Sequence, residues 1–316
     1  MTSPPWYRPV VWALAFVAVV LVGDRVGAAV LEAAVMRTGN RYATLYRGGL
    51  DKDVVVIGNS RGINSFHQPS LQEELDRPVF NLSFNGMPTE LQEVILYDYF
   101  DRNERPELVV IEVTGSMADD DKLADFFMFA DHSDRLADFL YGTVPRKEAL
   151  VRKTFALHNF DTEMLTRALS YVGRSDQSVI NRYSILPSML ELVEREPPVE
   201  FTSRPENLRA LRRMVDFCEA RGVAVRLIVG PYLPQYLDKV TNYDAWFASV
   251  QAAVGEDVEI WDYSDRIDDL TGFSDRIHLN LEGSKMLIPY LLEDRFFEPA
   301  GAAATAASLA SDRADG

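Results

Sequence analysis

The chain has 316 residues, of which 47% are hydrophobic and 11% aromatic. That is enough to bury one large or two smaller cores, and it excludes global disorder. The formal charge of -16 argues against a nucleic-acid binder, since phosphate binding needs clustered Lys and Arg and no basic stripe stands out.

The amino terminus carries an apolar, uncharged run, Pro9–Gly23 (PVVWALAFVAVVLVG), with Trp6, Tyr7 and Arg8 just before it. A spanning helix wants roughly 20 residues. The run reaches that length if it extends to Trp6, with Arg8 snorkelling towards the headgroups and the aromatics at the interface. Cleavage as a signal peptide is the rival reading, with the small residues of Val26–Ala29 as the cut site. A buried soluble helix fits least, because the run has no polar face. On either of the first two readings the remainder is exported. The expectation is a single-pass anchor in a bacterial inner membrane with the catalytic domain in the periplasm, or a secreted domain after cleavage. The flanking charges do not fix orientation.

Residues 26–50 read as a helical neck, and residues 51–299 as the main domain. Strand patterns at Val54–Ile57, Pro78–Ser83, Leu108–Val113, Val223–Val229 and Val258–Trp261 alternate with helical ones at Thr89–Phe100, Glu206–Arg221, Tyr243–Val254 and Asn280–Asp294. Gly222 supplies a helix stop. Continuous β-branched runs between helices predict a three-layer α/β/α domain around a mostly parallel five-stranded sheet, flavodoxin-like in plan. Over roughly 116–203 the alternation stops and the pattern turns helical and acidic, as in an insertion over one end of the sheet. Asp119, Asp120 and Asp121 within it read as a metal cluster or, better, as a solvated helix start, since no EF-hand spacing or glycine follows. Residues 300–316 are low in complexity and read as disordered. The lone Cys218 excludes an internal disulfide and a CxxC site, and falls on the apolar face of a helix with Met214 and Phe217.

The stretch VVVIGNSRG (Val54–Gly62) runs an apolar strand into Gly-Asn-Ser-Arg-Gly. Ser60 is then either a nucleophile on a sharp turn or a serine in a turn that needed glycines. In a doubly wound sheet ligands sit outside the carboxyl ends of the strands, where this serine falls. A serine nucleophile needs a base within reach and a carboxylate to orient it. FSDRIHLNLEGSKML places Asp275 and His278 three residues apart on one loop after the last strand. Taken singly, Asp275 is a turn residue and His278 a polar neighbour of a helix cap. With Ser60 on the same edge, the catalytic reading is the better one. The loop after the second strand, Asn81–Gly86, puts Gly86 where its N–H can reach a reacting oxygen, with the N–H of Ser60 as a second donor.

This order resembles the SGNH (GDSL-like) hydrolase superfamily over about Asp53–Phe296. The resemblance implies Ser60 as nucleophile, Gly86 as oxyanion donor, Asp275 as orienting acid and His278 as base. The first block reads Gly-Asn-Ser where Gly-Asp-Ser is commoner. The third block, usually Gly-x-Asn-Asp, reads IEVTGSM (Ile111–Met117) here and lacks the Asn donor, for which Thr114, Ser116 or the side chain of Asn85 would have to stand in. The literal G-x-S-x-G also matches α/β-hydrolases, but that fold places several strands before its serine and separates its acid from its histidine.

An anchored, exported member of this kind is similar to proteins that move acyl groups on envelope polymers: polysaccharide or peptidoglycan O-acetyltransferases and esterases, and the DltD-like proteins of teichoic acid D-alanylation. The resemblance implies an acyl-Ser60 intermediate, acetyl as the expected group, an acylated polysaccharide or envelope glycan as substrate, a membrane-bound O-acyltransferase as partner, and no metal or cofactor. Arg61 would hold a carboxylate or phosphate of the substrate, or else form a surface ion pair. Tyr232, in the loop after the fourth strand, would stack on a sugar or else pack as a turn aromatic. A non-catalytic tethered scaffold that binds a polymer or an acyltransferase is the competing class. A cytoplasmic lipid esterase is a third, disfavoured by the amino terminus.

Overall fold

The structure is a computed structural model that describes residues 7–119 and 122–298. Asp120, Asp121 and the segment 300–316, read above as a metal or acidic cluster and a disordered tail, lie outside the described residues. The chain forms two compact units, one from Met1–Arg47 and Lys122–Asp176, the other from Gly48–Asp121 and Gln177–Gly316.

The first unit is helical: α1 (Tyr7–Val35) and α2 (Arg41–Arg47), then α6 (Asp134–Thr143), α7 (Arg146–Thr154) and α8 (Thr162–Leu169), with 3-10 turns at Leu123–His132 and Ala156–Asn159. The neck expected from residue 26 does not begin there, because α1 runs unbroken through Asp24 and Arg25. Two charges do not end this helix because both find partners. The Asp24 carboxylate accepts from the N–H groups of Ala156 (2.6 Å) and Leu157 (3.2 Å), while Arg25 donates to the carbonyls of Lys153 (2.7 Å) and Thr154 (3.2 Å). Farther along, Tyr42 meets Phe126 edge-on at 4.9 Å and Tyr46 stacks on Phe129 at 5.9 Å. A buried Arg41–Asp176 pair (3.2 Å) joins the two sequence segments of this unit.

The second unit holds the sheet. Its strands are β1 (Val54–Ile57), β2 (Val79–Asn81), β3 (Leu108–Glu112), β4 (Ala224–Val229) and β5 (Ile260–Asp262), all parallel in the order β2-β1-β3-β4-β5. The helices are α3 (Ser60–Ser65), α4 (Gln68–Leu75), α5 (Thr89–Arg102), α9 (Pro187–Arg195), α10 (Pro205–Glu219), α11 (Pro234–Leu237), α12 (Tyr243–Val254) and α13 (Leu281–Glu293). The chain steps one way from β1 to β2, then crosses back over β1 to β3, β4 and β5. Right-handed crossovers therefore put α3 and α4 on one face and α5, α10 and α12 on the other. The packing agrees: α13 joins α3 and α4, and α10 lies between α5 and α12. β1 and β3 are the neighbours at which the direction reverses, so their carboxyl ends open the crevice where such sheets bind ligands. The register Ile57↔Ile111 sets those two ends side by side.

Helix α10 shows how pattern becomes packing. Asn207, Ala210, Leu211, Met214, Val215 and Cys218 recur at helical spacing and are all buried. Burial pushes the Cys218 thiol up to about 12, which makes it an inert core residue. β1 keeps the full run expected for it, whereas β2 is three residues shorter than its run and begins after Pro78, which has no N–H to add to the ladder.

Gly62 answers part of the question raised by Gly-Asn-Ser-Arg-Gly. A Cβ there would stand 2.4 Å from Ser83 Oγ and 3.0 Å from Ser83 Cβ, inside the buried loop after β2. Within a helix, Gly→Ala ordinarily gains up to about 1 kcal/mol. Here overpacking, at about 1–3 kcal/mol, should win. Gly62→Ala is expected to lower the urea midpoint, and adding Ser83→Gly should restore most of the loss. A single substitution that stabilises would show that this contact does not dictate the glycine.

Candidate active site

Ser60 opens α3 directly after β1. Asn59 caps the helix by accepting the N–H of Arg61 (2.8 Å). Its amide nitrogen donates to Thr114 Oγ1 (3.1 Å), and Thr114 Oγ1 donates in turn to Glu112 Oε2 (2.5 Å). This chain of donors explains the asparagine where the resembled family more often has aspartate. An ionised carboxylate has no proton to give Thr114, whose own proton is already directed to Glu112.

On the opposite side of the serine, the loop before α13 folds around Asp275. One carboxylate oxygen accepts the N–H groups of Ile277 and His278, both at 2.9 Å, and the other meets His278 Nδ1 at 2.8 Å. His278 Nε2 lies 2.7 Å from Ser60 Oγ. Ser274 N–H donates to the His278 carbonyl (2.9 Å), and Asn280 caps α13 through the N–H of Gly283. Residues from the expected insertion brace the loop as well: Asn181 donates to Ser274 Oγ (2.9 Å), and Leu281 N–H donates to the Asn181 carbonyl (2.8 Å). Burial pushes the Asp275 carboxyl up. The hydrogen bond and charge of His278, with the N–H groups of Ile277 and His278, outweigh that and hold it below the ordinary aspartate value.

The structure thus brings Ser60, His278 and Asp275, distant in sequence, into one hydrogen-bonded line at the carboxyl edge of the sheet. Such a line can pass a proton from a hydroxyl to an imidazole held in one orientation. Gly86 sits in a turn closed by Met87 N–H to the Phe84 carbonyl (3.1 Å), at φ 67°, where glycine is favoured. Neither its N–H nor that of Ser60 has an acceptor among the described residues. Asn85, in the same turn, is exposed.

Four other expected site residues are placed differently. Thr114 is not a free donor: it is 1% exposed and its hydroxyl is committed to Glu112. Ser116 is likewise engaged, with Ser203 Oγ at 2.8 Å. Arg61 is neither a substrate clamp nor a surface ion pair. It is 3% exposed; its Nε donates to Glu112 Oε1 (3.3 Å), Nη1 to the Ile277 carbonyl (2.6 Å) and Nη2 to the Gly230 carbonyl. Its guanidinium lies 3.6 Å from the centre of the Tyr232 ring. Tyr232 is therefore a buried wall and offers no open face to a sugar. With Arg61, Met117, Phe201, Tyr236 and Ile277 it lines a largely apolar pocket of about 310 Å³.

Glu112 is the residue sequence reasoning missed. It is fully buried at the end of β3, and burial pushes its carboxyl up against the opposing pull of Arg61 and the hydrogen bonds from Thr114, Arg61 and Gly230. The signal was present: a carboxylate at the end of the apolar run LVVIE must find a partner if the strand is central.

Three solved structures share a distant likeness with the chain. One, from Streptococcus pneumonia, is described as a platelet activating factor (14% identity, 90% of this chain and 98% of that one, TM-score 0.41). Another, from Bacteroides fragilis NCTC 9343, is described as an acylhydrolase (14% identity, 80% and 93%, TM-score 0.39). The third is a GDSL-like lipase from Bacteroides thetaiotaomicron VPI-5482 (13% identity, 80% and 95%, TM-score 0.38). No family model and no curated protein matches the chain.

Removing one partner of a buried ion pair strands a charge at a cost of about 3–5 kcal/mol. Arg61→Met should lower stability by that order in urea unfolding, and Arg61→Met/Glu112→Met should recover part of it. A single variant as stable as the parent would show the pair to be dispensable. At Asp275 the folded carboxyl lies below its unfolded value, so it stabilises above the unfolded value and the gain is lost as pH falls through the folded one. Asp275→Asn should therefore be less stable than the parent at neutral pH, with the gap closing in acid. A gap independent of pH would mean that the charge does not hold this loop.

Proposed function

We propose that the chain is an SGNH-type serine acyl-transfer protein, anchored by α1 and acting on O-acyl groups, acetyl foremost, of an exported or envelope polysaccharide. The observation that carries this reading is the Ser60–His278–Asp275 line at the β1/β3 crevice, with distances of 2.7 and 2.8 Å. Ser60 Oγ attacks the acyl carbonyl carbon while His278 Nε2 takes the serine proton. The oxyanion accepts the N–H groups of Ser60 and Gly86. His278 returns its proton to the leaving sugar oxygen as the C–O bond breaks, leaving an acyl-serine. An acceptor hydroxyl, from a sugar or from water, then gives its proton to His278 as it attacks the acyl-serine; the acyl carbon–Oγ bond breaks and His278 returns the proton to Ser60 Oγ. Asp275 keeps the imidazole oriented and stays ionised throughout.

The anchoring half of the reading rests on α1. It is 29 residues long, with a mean hydropathy of 2.1 over its most apolar window, so by length and composition it can cross a membrane or serve as a signal sequence. An uncleaved anchor is favoured because the helix is continuous through Val26–Ala29, with Asp24, Ala28 and Val35 buried within its unit. We place the second unit in the periplasm and take a membrane-bound O-acyltransferase as its partner. The pocket beside Arg61 and Ile277 offers apolar room for an acyl group.

The scaffold reading keeps one supporting observation: the third-block hydroxyls are both engaged within the fold, Thr114 with Glu112 and Ser116 with Ser203. Acylation decides between the two. The full chain in detergent is treated with p-nitrophenyl acetate and followed by intact mass and by release of p-nitrophenol. An acetyl adduct on Ser60, absent from Ser60→Ala, is expected. Asp275→Asn should slow acylation by about 10⁴-fold, the loss seen when a triad histidine loses its orienting carboxylate. Slow turnover of the adduct that an added glycan accelerates would mark a transferase. A folded protein with no adduct and no rate above Ser60→Ala would leave the scaffold reading in its place.

A further inference from the structure

Helix α7 combines features that the net charge of the chain conceals. Arg146–Lys153 reads RKEALVRK, four basic residues to one acid, in a chain of formal charge -16. Arg152 is used internally: it pairs with Glu148 at 2.9 Å and lies 4.1 Å from the centre of the Phe127 ring. Arg146, Lys147 and Lys153 remain exposed. The same segment and the turn after it expose Leu150 (67%), Val151 (42%), Phe155 (40%) and Leu157 (39%). Single exposed apolar residues need no explanation. Four in a short stretch, flanked by three exposed cations, of which Lys153 also lies 4.7 Å from the centre of the Tyr141 ring, have the composition of an interfacial helix.

Its position gives the surface a partner. The apolar part of α1, Tyr7–Gly23, rises about 25 Å at 1.5 Å per residue, close to the hydrocarbon thickness of a bilayer. The next two residues, Asp24 and Arg25, are those that hold the backbone of Lys153, Thr154, Ala156 and Leu157. If α1 spans, residues 153–157 are pinned at the level where it leaves the membrane. A Cβ at Gly27 would stand 3.3 Å from the Leu157 side chain, which shows how closely the turn is seated on α1.

We propose that α7 and the turn that follows it lie on the membrane surface, with Arg146, Lys147 and Lys153 among anionic phospholipid headgroups and Leu150, Val151, Phe155 and Leu157 at the headgroup–acyl boundary. The inference rests on the reading of α1 as an uncleaved anchor. Charge complementarity selects the occupant: basic side chains are drawn to an anionic leaflet and lose that attraction within about a Debye length, which suits a segment held at the interface. The apolar residues gain by leaving water along with them. The surface would fix the tilt of α1 and hold the first unit down on the bilayer.

The test uses the full chain in vesicles of phosphatidylglycerol and phosphatidylcholine. Leu150→Cys or Phe155→Cys is labelled with an environment-sensitive fluorophore; Cys218 is buried and stays unlabelled. Emission should rise on insertion, be quenched by a lipid carrying a nitroxide near its headgroup, and lose most of that quenching in Lys147→Glu/Lys153→Glu. Alkaline carbonate extraction runs alongside. A chain that resists extraction while its label stays in water and unquenched would overturn the surface proposal and leave the anchor intact. A chain released by carbonate would defeat the anchor reading and the proposal with it. Cross-linking between the labelled positions of two chains, without lipid quenching, would assign the patch to a second copy and overturn the proposal as well.

Discussion

The ion pair between Arg61 and Glu112 is the constraint on which the serine site depends. Arg61 is the residue next to Ser60, and its guanidinium reaches the end of β3, the carbonyl of Gly230 after β4 and the carbonyl of Ile277 beside His278. One planar group with fixed donor directions therefore relates three loops that sequence alone leaves independent. Lysine carries three donors, but on one compact nitrogen at the end of a flexible stem, without the planar fork that spans these acceptors. Burial of both partners makes the arrangement costly to leave half made, which is why it can act as a positional constraint.

Around that pair the hydrogen-bond bookkeeping leaves few choices. Asn59 must donate as well as accept, Thr114 must donate to Glu112, and Asp275 must take two backbone N–H groups as well as an imidazole. Each group is spoken for, so the relative geometry of Ser60 and His278 is held by the fold itself. Preorganisation of this kind is where an active site obtains most of its electrostatic advantage. The backbone N–H groups of Ser60 and Gly86 have no acceptor among the described residues.

The first unit shows the same economy along its long apolar helix. Asp24 and Arg25 sit where the apolar run of α1 ends, and neither is a stray charge, since they bind N–H and C=O groups of the segment 153–157. The two side chains thereby satisfy backbone groups of a segment far along the chain and tie it to α1.

Much of the fold was legible in the chain. Val54–Ile57 and the run within Leu108–Val113 are too continuously apolar for half-exposed strands, and Tyr243–Val254 forms the helix its pattern predicts. Period and punctuation are local properties, so they survive in one dimension. The resemblance of Gly-Asn-Ser and Asp-x-x-His to known blocks pointed to Ser60, Asp275 and His278, and the Asp275 turn follows from spacing alone. Charge type was legible too, but the partner of a charge was not. Arg61 reads as a ligand-binding or surface residue until β3 is seen to deliver Glu112 beside it, and Thr114 reads as a donor until the same carboxylate takes its proton. Nor could the sequence break at residue 25 show that α1 continues, since the groups that satisfy Asp24 and Arg25 lie far along the chain. The sequence by itself determined the alternation of elements, the parallel sheet and the residue types of the site, because those depend on neighbours within a turn or a strand. Only the tertiary structure decided which polar groups were free to act and which were consumed in holding the site together, because pairing depends on which distant segments burial brings within hydrogen-bond reach.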